Sequence, residues 1–287
     1  MQQTRQYIAQ RLSPIYQGDE LNALIWWILE ELTRKNRAIL LTMNSQSIFP
    51  QYQHRIEKIC DRLIAHEPIQ YIFGHTWWSG LDLITTPDVL IPRPETAQIL
   101  NIAAAELTQP PATILDLCTG SGCIAIALKQ LYRQAHVYGA DISQQALIIA
   151  KQNTERNKVG AITFEQHDVL HTQFQNYTFK PDCTFDLIVS NPPYIADNEK
   201  KDIAPNVLDY EPQNALFVPG DDPLIFYRAI ASYANTHLNS HGLLIVEINQ
   251  RLPQQTQQLI QQLMPHAEVK TLKDDYGNWR FITAHQS

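Results

Sequence analysis

The strongest constraint on this fold is a repeating order of segments. From about residue 112 onward, short apolar runs alternate with helix-like stretches, and the first run opens into a glycine turn. Strands are expected at 113–117, 137–140, 162–166, 185–190, 243–248, 268–272 and 279–283. Helices are expected at 124–131, from Ser143 as N-cap to about residue 157, and from Pro253 to about residue 264. This alternation predicts an α/β fold, a mostly parallel sheet with helices on both faces. Ligands of such sheets sit beyond the carboxyl ends of the strands, so the residues following each strand carry the functional signal.

The first part of the chain is different. Leu21, Leu24, Ile25, Ile28, Leu29 and Leu32 follow helical spacing, as do Ile56, Ile59, Leu63 and Ile64, with Pro68 as the stop. Residues 69–78 and 81–86 flank Ser79-Gly80 and read as a β-hairpin. Ile91-Pro92-Arg93-Pro94-Glu95-Thr96 is stiffened by its two prolines. The expected organisation is a helical domain over 1–68, a hairpin and proline-rich linker over 69–94, and the α/β domain over 95–287.

Composition excludes several function classes. The longest apolar run, Leu24-Ile25-Trp26-Trp27-Ile28-Leu29, is far shorter than the ~20 residues of a membrane span. The first residues lack a basic cluster followed by an apolar core, so no signal peptide is expected. A net charge of −7 argues against direct nucleic-acid binding, which needs a basic surface. Cys60, Cys118, Cys123 and Cys183 fit neither a disulfide framework nor a zinc pattern. Reduced thiols, a cytoplasmic setting and no metal are the expectation.

Asp116-Leu117-Cys118-Thr119-Gly120-Ser121-Gly122 runs from the first strand into a helix. Glycines permit the sharp turn and the close approach of a ligand to backbone. Alone, such a turn is equally a structural device. Asp141 follows the next strand, where a carboxylate accepts from ribose hydroxyls, although it could simply cap the helix behind it. His167-Asp168-Val169 follows the third strand; Asp168 could accept from an adenine amino group while Val169 covers the ring, or the stretch is a surface loop.

Ser190-Asn191-Pro192-Pro193-Tyr194 carries the more specific chemistry. The prolines fix φ and remove two donors, leaving carbonyls free to accept. The Asn191 side-chain oxygen and the Pro192 carbonyl are complementary to a planar NH₂ group, and Tyr194 offers a flat face beside it.

The Asn-Pro-Pro-Tyr turn together with Asp-Leu-Cys-Thr-Gly-Ser-Gly resembles S-adenosylmethionine-dependent amino-methyltransferases. More closely, the chain is similar to the PrmC/HemK family, protein-(glutamine-N5) methyltransferases that modify peptide chain release factors. The similarity extends over Glu67-Pro68-Ile69-Gln70-Tyr71-Ile72-Phe73-Gly74, Leu90 to Thr96, Tyr210-Glu211-Pro212-Gln213-Asn214-Ala215-Leu216, and Lys273-Asp274-Asp275-Tyr276-Gly277-Asn278-Trp279-Arg280-Phe281. The Asn-Pro-Pro-Tyr tetrapeptide alone is shared with nucleic-acid adenine N6-methyltransferases, the alternative reading.

The resemblance implies a Rossmann-like, seven-stranded class I methyltransferase domain, preceded by a small helical substrate-recognition bundle and a hairpin linker. It implies that Cys118, Thr119, Gly120, Ser121 and Gly122 wrap the methionine end of S-adenosylmethionine, with S-adenosylhomocysteine as the product. Asp141 would hold the ribose, Asp168 and Val169 would flank the adenine, and Asn191 would border the cofactor. Asn191, Pro192, Pro193 and Tyr194 would hold and activate the glutamine of a Gly-Gly-Gln motif in class-1 release factors. Three positions depart from the family pattern. Cys118 replaces a glycine, and ordinary φ is expected there, since a positive value would strain cysteine. Val169 replaces a larger aromatic residue, and Asn249 follows Glu247-Ile248 where glycine is usual.

Overall fold

The computed structural model describes residues 2–43, 49–171 and 183–287. The chain divides into two units, Met1–Gly74 with Ala204–Tyr210, and His75–Ile203 with Glu211–Ser287. No helix among the described residues is long and apolar enough to cross a membrane.

The first unit is helical. Gln2–Leu12, Gly18–Thr33, Arg37–Thr42 and Phe49–Ile64 are its principal helices. Ile8, Leu12, Ile28, Leu29, Leu40 and Ile56 are fully buried between them, each burial contributing roughly 1.5–3 kcal/mol before entropy is counted. Residues 69–73 differ from the expected strand. Ile69–Phe73 is a short helix with Pro68 at its N-cap and Gly74, at φ 75°, as its left-handed C-cap. The preceding helix stops four residues before Pro68, with His66 at positive φ. Pro68 therefore opens a helix rather than closing one. Short Pro205–Leu208 belongs to this unit, and Tyr210 Oη donates to the Ala65 carbonyl at 2.7 Å.

The second unit opens with a hairpin, β1 (His75–Trp78) and β2 (Leu81–Ile84). Ser79 and Gly80 both have positive φ, as a two-residue hairpin turn demands. The hairpin is anchored on the helix Gln144–Asn157. Asn153 Oδ1 accepts from Ile84 N–H at 2.6 Å, and Asn157 Oδ1 accepts from Asp82 N–H at 3.0 Å. The remaining strands are β3 (Thr113–Leu117), β4 (His136–Asp141), β5 (Thr163–Gln166), β6 (Phe185–Ser190), β7 (Leu238–Glu247), β8 (Glu268–Lys273) and β9 (Trp279–His285). They form one seven-stranded sheet in the order β5-β4-β3-β6-β7-β9-β8, with β9 antiparallel to both neighbours and the other pairings parallel.

Both faces of the sheet are covered. Leu187, Val189, Leu243 and Ile245 point to one face, against Ile99, Ala103, Ile124 and Leu128. Ile188, Leu244 and Val246 point to the other, against Tyr227, Ile230, Ala234 and Ile260. Two-sided burial explains why these strands read as unbroken apolar runs. The strand order reverses between β3 and β6, which places the switch point of the sheet between the glycine turn and the Asn-Pro-Pro-Tyr turn.

Candidate functional site

The glycine turn leaves β3 and enters the helix Cys123–Leu131. Gly120 has φ 54° and Gly122 φ 78°. A Cβ on Gly122 would lie 3.0 Å from the Ala150 Cβ, so this glycine allows close helix packing, whereas one on Gly120 would meet nothing within 4 Å. Cys118 departs from expectation, with φ 59°. The chain must reverse there so that Thr119 N–H reaches the Ala140 carbonyl on β4 at 2.9 Å and its hydroxyl donates to Asp116 Oδ2 at 2.5 Å. A non-glycine residue in this conformation costs roughly 1–2 kcal/mol. Ser121 is buried, and its carbonyl accepts from Asn153 Nδ2 at 3.0 Å.

Asp141 ends β4. Its Oδ2 accepts from Gly120 N–H at 2.8 Å and its Oδ1 from Ser143 N–H at 2.9 Å. Burial raises its pKa, against the pull of these backbone donors. Asp141 thus stitches the glycine turn to the start of the next helix, while Ser143 itself caps that helix through Ala146 N–H. Asp168 follows β5, accepts from Leu170 N–H at 2.9 Å and pairs with His171 at 3.0 Å. Val169 beside it is buried.

Asn191 to Tyr194 follow β6. Ser190 fixes the start of this turn by donating to the Leu117 carbonyl at 2.7 Å. Asn249 fixes its end, donating to the Tyr194 carbonyl at 3.0 Å and to Glu199 at 2.9 Å, while its own N–H donates to Tyr227 Oη at 3.1 Å. Asparagine in place of glycine here is therefore a clamp on the turn. Glu247, at the end of β7, is 1% exposed and accepts from Thr96 Oγ1 at 2.6 Å and Tyr194 Oη at 3.3 Å. Burial pushes both the Glu247 carboxyl and the Tyr194 phenol above their ordinary ranges. Thr96 and Glu247 fall in stretches that carry the family resemblance, but neither was expected in the site, and 151 residues separate them.

A cavity of about 310 Å³ collects these strand ends. Cys118, Gly120, Asp141, Asp168, Val169, Asn191 and Pro193 line it. Thr119, Ser121, Gly122, Pro192 and Tyr194 belong to the same two turns but are not among its lining residues. Sequence reasoning missed Asp88, Val89, Ile142, Phe217 and Phe226, which are also part of the wall. Ile142 was within reach, being the neighbour of Asp141.

A methyltransferase domain model matches residues 109–279, and a PrmC N-terminal domain model matches residues 3–74. The release factor glutamine methyltransferase of Bacteroides thetaiotaomicron is 39% identical over 282 residues, covering 98% of each chain. That of Flavobacterium psychrophilum is 38% identical, covering 97% of this chain and 96% of its own. This chain belongs to the release factor glutamine methyltransferase family. A methyltransferase from Pyrococcus furiosus shares the fold, with a TM-score of 0.52 at 19% identity, covering 79% of this chain and 97% of that one.

The family depends on S-adenosylmethionine, and the cavity fits such a group. Its volume falls at the lower end of small-molecule sites, ~300–1,000 Å³. The space above Gly120 is open backbone surface, the carboxylates of Asp88, Asp141 and Asp168 supply polar lining, and Val169, Ile142 and Leu170 offer apolar lining.

Below the glycine turn lies Asp116, fully buried, accepting from Thr119 Oγ1 and Ala125 N–H. Its Oδ1 has no hydrogen-bond partner among the described residues. Burial pushes this carboxyl from 3.8 up to about 7. Between those values the folded chain holds a proton that the unfolded chain has lost. The contribution of Asp116 to stability is therefore full below about pH 4 and disappears as pH rises through 7. Relative to an Asp116→Asn variant, the wild type is expected to lose stability between pH 4 and 7. Urea denaturation across that range measures the slope, and parallel curves would refute the assignment.

Proposed function

We propose that this protein transfers a methyl group to the side-chain amide nitrogen of the glutamine in the Gly-Gly-Gln motif of class-1 release factors. The observation that carries the reading is the opening of Asn191 and Pro193 into the same cavity as Asp141 and Asp168. An acceptor built for a planar NH₂ and a pair of carboxylates suited to a nucleoside meet across one switch point. S-adenosylmethionine supplies, when bound, a methyl group activated by its sulfonium.

In this reading Cys118 to Gly122 receive the methionine portion, Asp141 the ribose, and Asp168 with Val169 the adenine. The Asn191 side-chain oxygen and the Pro192 carbonyl accept the two N–H bonds of the glutamine amide, with Tyr194 beside it. An amide nitrogen is a weak nucleophile because its lone pair is delocalised into the carbonyl. Acceptors on both N–H bonds favour a pyramidal nitrogen and stabilise positive charge as it develops there. Alignment supplies much of the remaining acceleration, up to ~7–11 kcal/mol. No strong base is required, since the methylated nitrogen is acidic and loses its proton to water. The amide itself offers few contacts, so selection of one glutamine falls to surface away from the chemistry, and the helical unit is assigned that role.

Asp141→Ala is expected to weaken S-adenosylmethionine binding by roughly 1.5–3 kcal/mol, about ten- to a hundredfold. Calorimetric titration of the folded variant measures it; unchanged affinity would remove Asp141 from the site. The function itself is tested by mass spectrometry of purified release factor after incubation with the protein and S-adenosylmethionine. One added methyl on the Gly-Gly-Gln glutamine is expected. Transfer to nucleic-acid adenine instead would overturn the proposal.

A further inference from the structure

We propose that Thr96 and Glu247 set the orientation of the Asn191 amide, so that its oxygen and not its NH₂ faces the substrate. The inference rests on the reading of Asn191 given above. The three residues come from separate stretches: Thr96 from the short helix Glu95–Ala97, Asn191 from the turn after β6, and Glu247 from the end of β7. Glu247 and Thr96 are almost completely buried.

An asparagine amide has two orientations that are alike in shape and opposite in hydrogen bonding. One presents an acceptor to an incoming NH₂, and the other presents a second NH₂ to it. The network removes this ambiguity. Glu247 accepts on both of its carboxyl oxygens. Thr96 Oγ1 donates its single proton to Oε2 at 2.6 Å, and Tyr194 Oη donates to Oε1 at 3.3 Å. Burial raises Glu247, while the Thr96 hydroxyl, Arg280 and Tyr194 hold it toward the ionised form. Having given its proton, the Thr96 oxygen can only accept, and it faces Asn191 Nδ2 at 3.4 Å. The NH₂ of Asn191 is thereby turned to Thr96, and Oδ1 is left for the cavity that Asn191 lines. The reverse orientation would set two oxygens together with no proton between them and confront the substrate NH₂ with another donor. Thr96 and Glu247 are positioning residues, because they act through Asn191.

The test is a double-mutant cycle read in single-turnover methylation of release factor at saturating S-adenosylmethionine. Thr96→Val preserves shape and removes the hydroxyl. It is expected to slow transfer about ten- to a hundredfold, with cofactor affinity and release-factor KM within about twofold of wild type. Thr96→Ser, which restores the hydroxyl, is expected to recover most of the rate. In an Asn191→Ala background, Thr96→Val is expected to add no further loss. Thr96→Ala serves in the same cycle if the valine variant does not fold. Full rate in Thr96→Val, no recovery in Thr96→Ser, or losses that multiply in the double variant would overturn the inference. Wild-type rate in Asn191→Ala alone would instead overturn the underlying reading of the site.

Discussion

Asn191→Ala is expected to slow methyl transfer about a hundredfold or more while leaving S-adenosylmethionine affinity within a few-fold. The size follows from losing one preorganised hydrogen bond at the reacting centre, ~2.7–4 kcal/mol. Asn191 is only half-buried and stands at the mouth of a turn held on one side by Ser190 and on the other by Asn249. Truncation therefore leaves the backbone of the turn in place, and its effect is read on the chemistry. Single-turnover rates at saturating cofactor decide it, with a cofactor titration as the control. Rates near wild type would make Asn191 a turn residue and nothing more.

The largest effect on stability is expected from Arg93→Ala. Glu211 has a side chain only 1% exposed, with Oε1 accepting from Arg93 at 2.6 Å and Oε2 from Ile91 N–H at 3.1 Å. Removing Arg93 leaves a buried carboxylate without its cation. Breaking a fully buried pair costs ~3–5 kcal/mol. Arg93 is 33% exposed, and water replaces part of what is lost, so about 2–3 kcal/mol is expected. The corresponding fall in melting temperature is on the order of 5–10 °C for a unit of this size. Combining Arg93→Ala with Glu211→Gln should restore much of the loss, because the uncompensated charge is then gone. Equal melting curves for wild type and Arg93→Ala would show that the pair contributes nothing.

Much of this architecture is legible in the sequence where the signal is local. The strands β3, β4 and β6 are apolar runs ending in turn residues, and Ser143 announces its helix with the N-cap it supplies. The turns that meet at the switch point were readable for the same reason: each follows directly on its strand. The helix Ile225–His237 was not expected, although Tyr227, Ile230, Ala231 and Ala234 share one buried face at helical spacing. Ile69–Phe73 misleads because Ile, Tyr and Phe are strand formers, and five residues are too few for a helical period to emerge. Cys118 misleads because its residue type disfavours the conformation that Thr119 and Ala140 impose through tertiary hydrogen bonds. The Thr96–Glu247 contact has no local signature at all. It exists only once the proline connector and the end of β7 are brought together by the sheet.

The helical unit is assembled from two pieces of chain, Met1–Gly74 and Ala204–Tyr210. During synthesis the first piece is made well before the second, with about 130 residues between them. At roughly 5–20 residues per second, the nascent helices wait some 6–26 s for the segment that contains Tyr210. Over that interval the Ala65 carbonyl lacks its tyrosine partner. Until then, the amino-terminal helices have only their own burial of Ile8, Leu12, Ile28, Leu29 and Leu40 to hold them together. Arrest of translation between residues 74 and 204 would capture that unfinished unit, and its protease sensitivity would report how much the late segment adds.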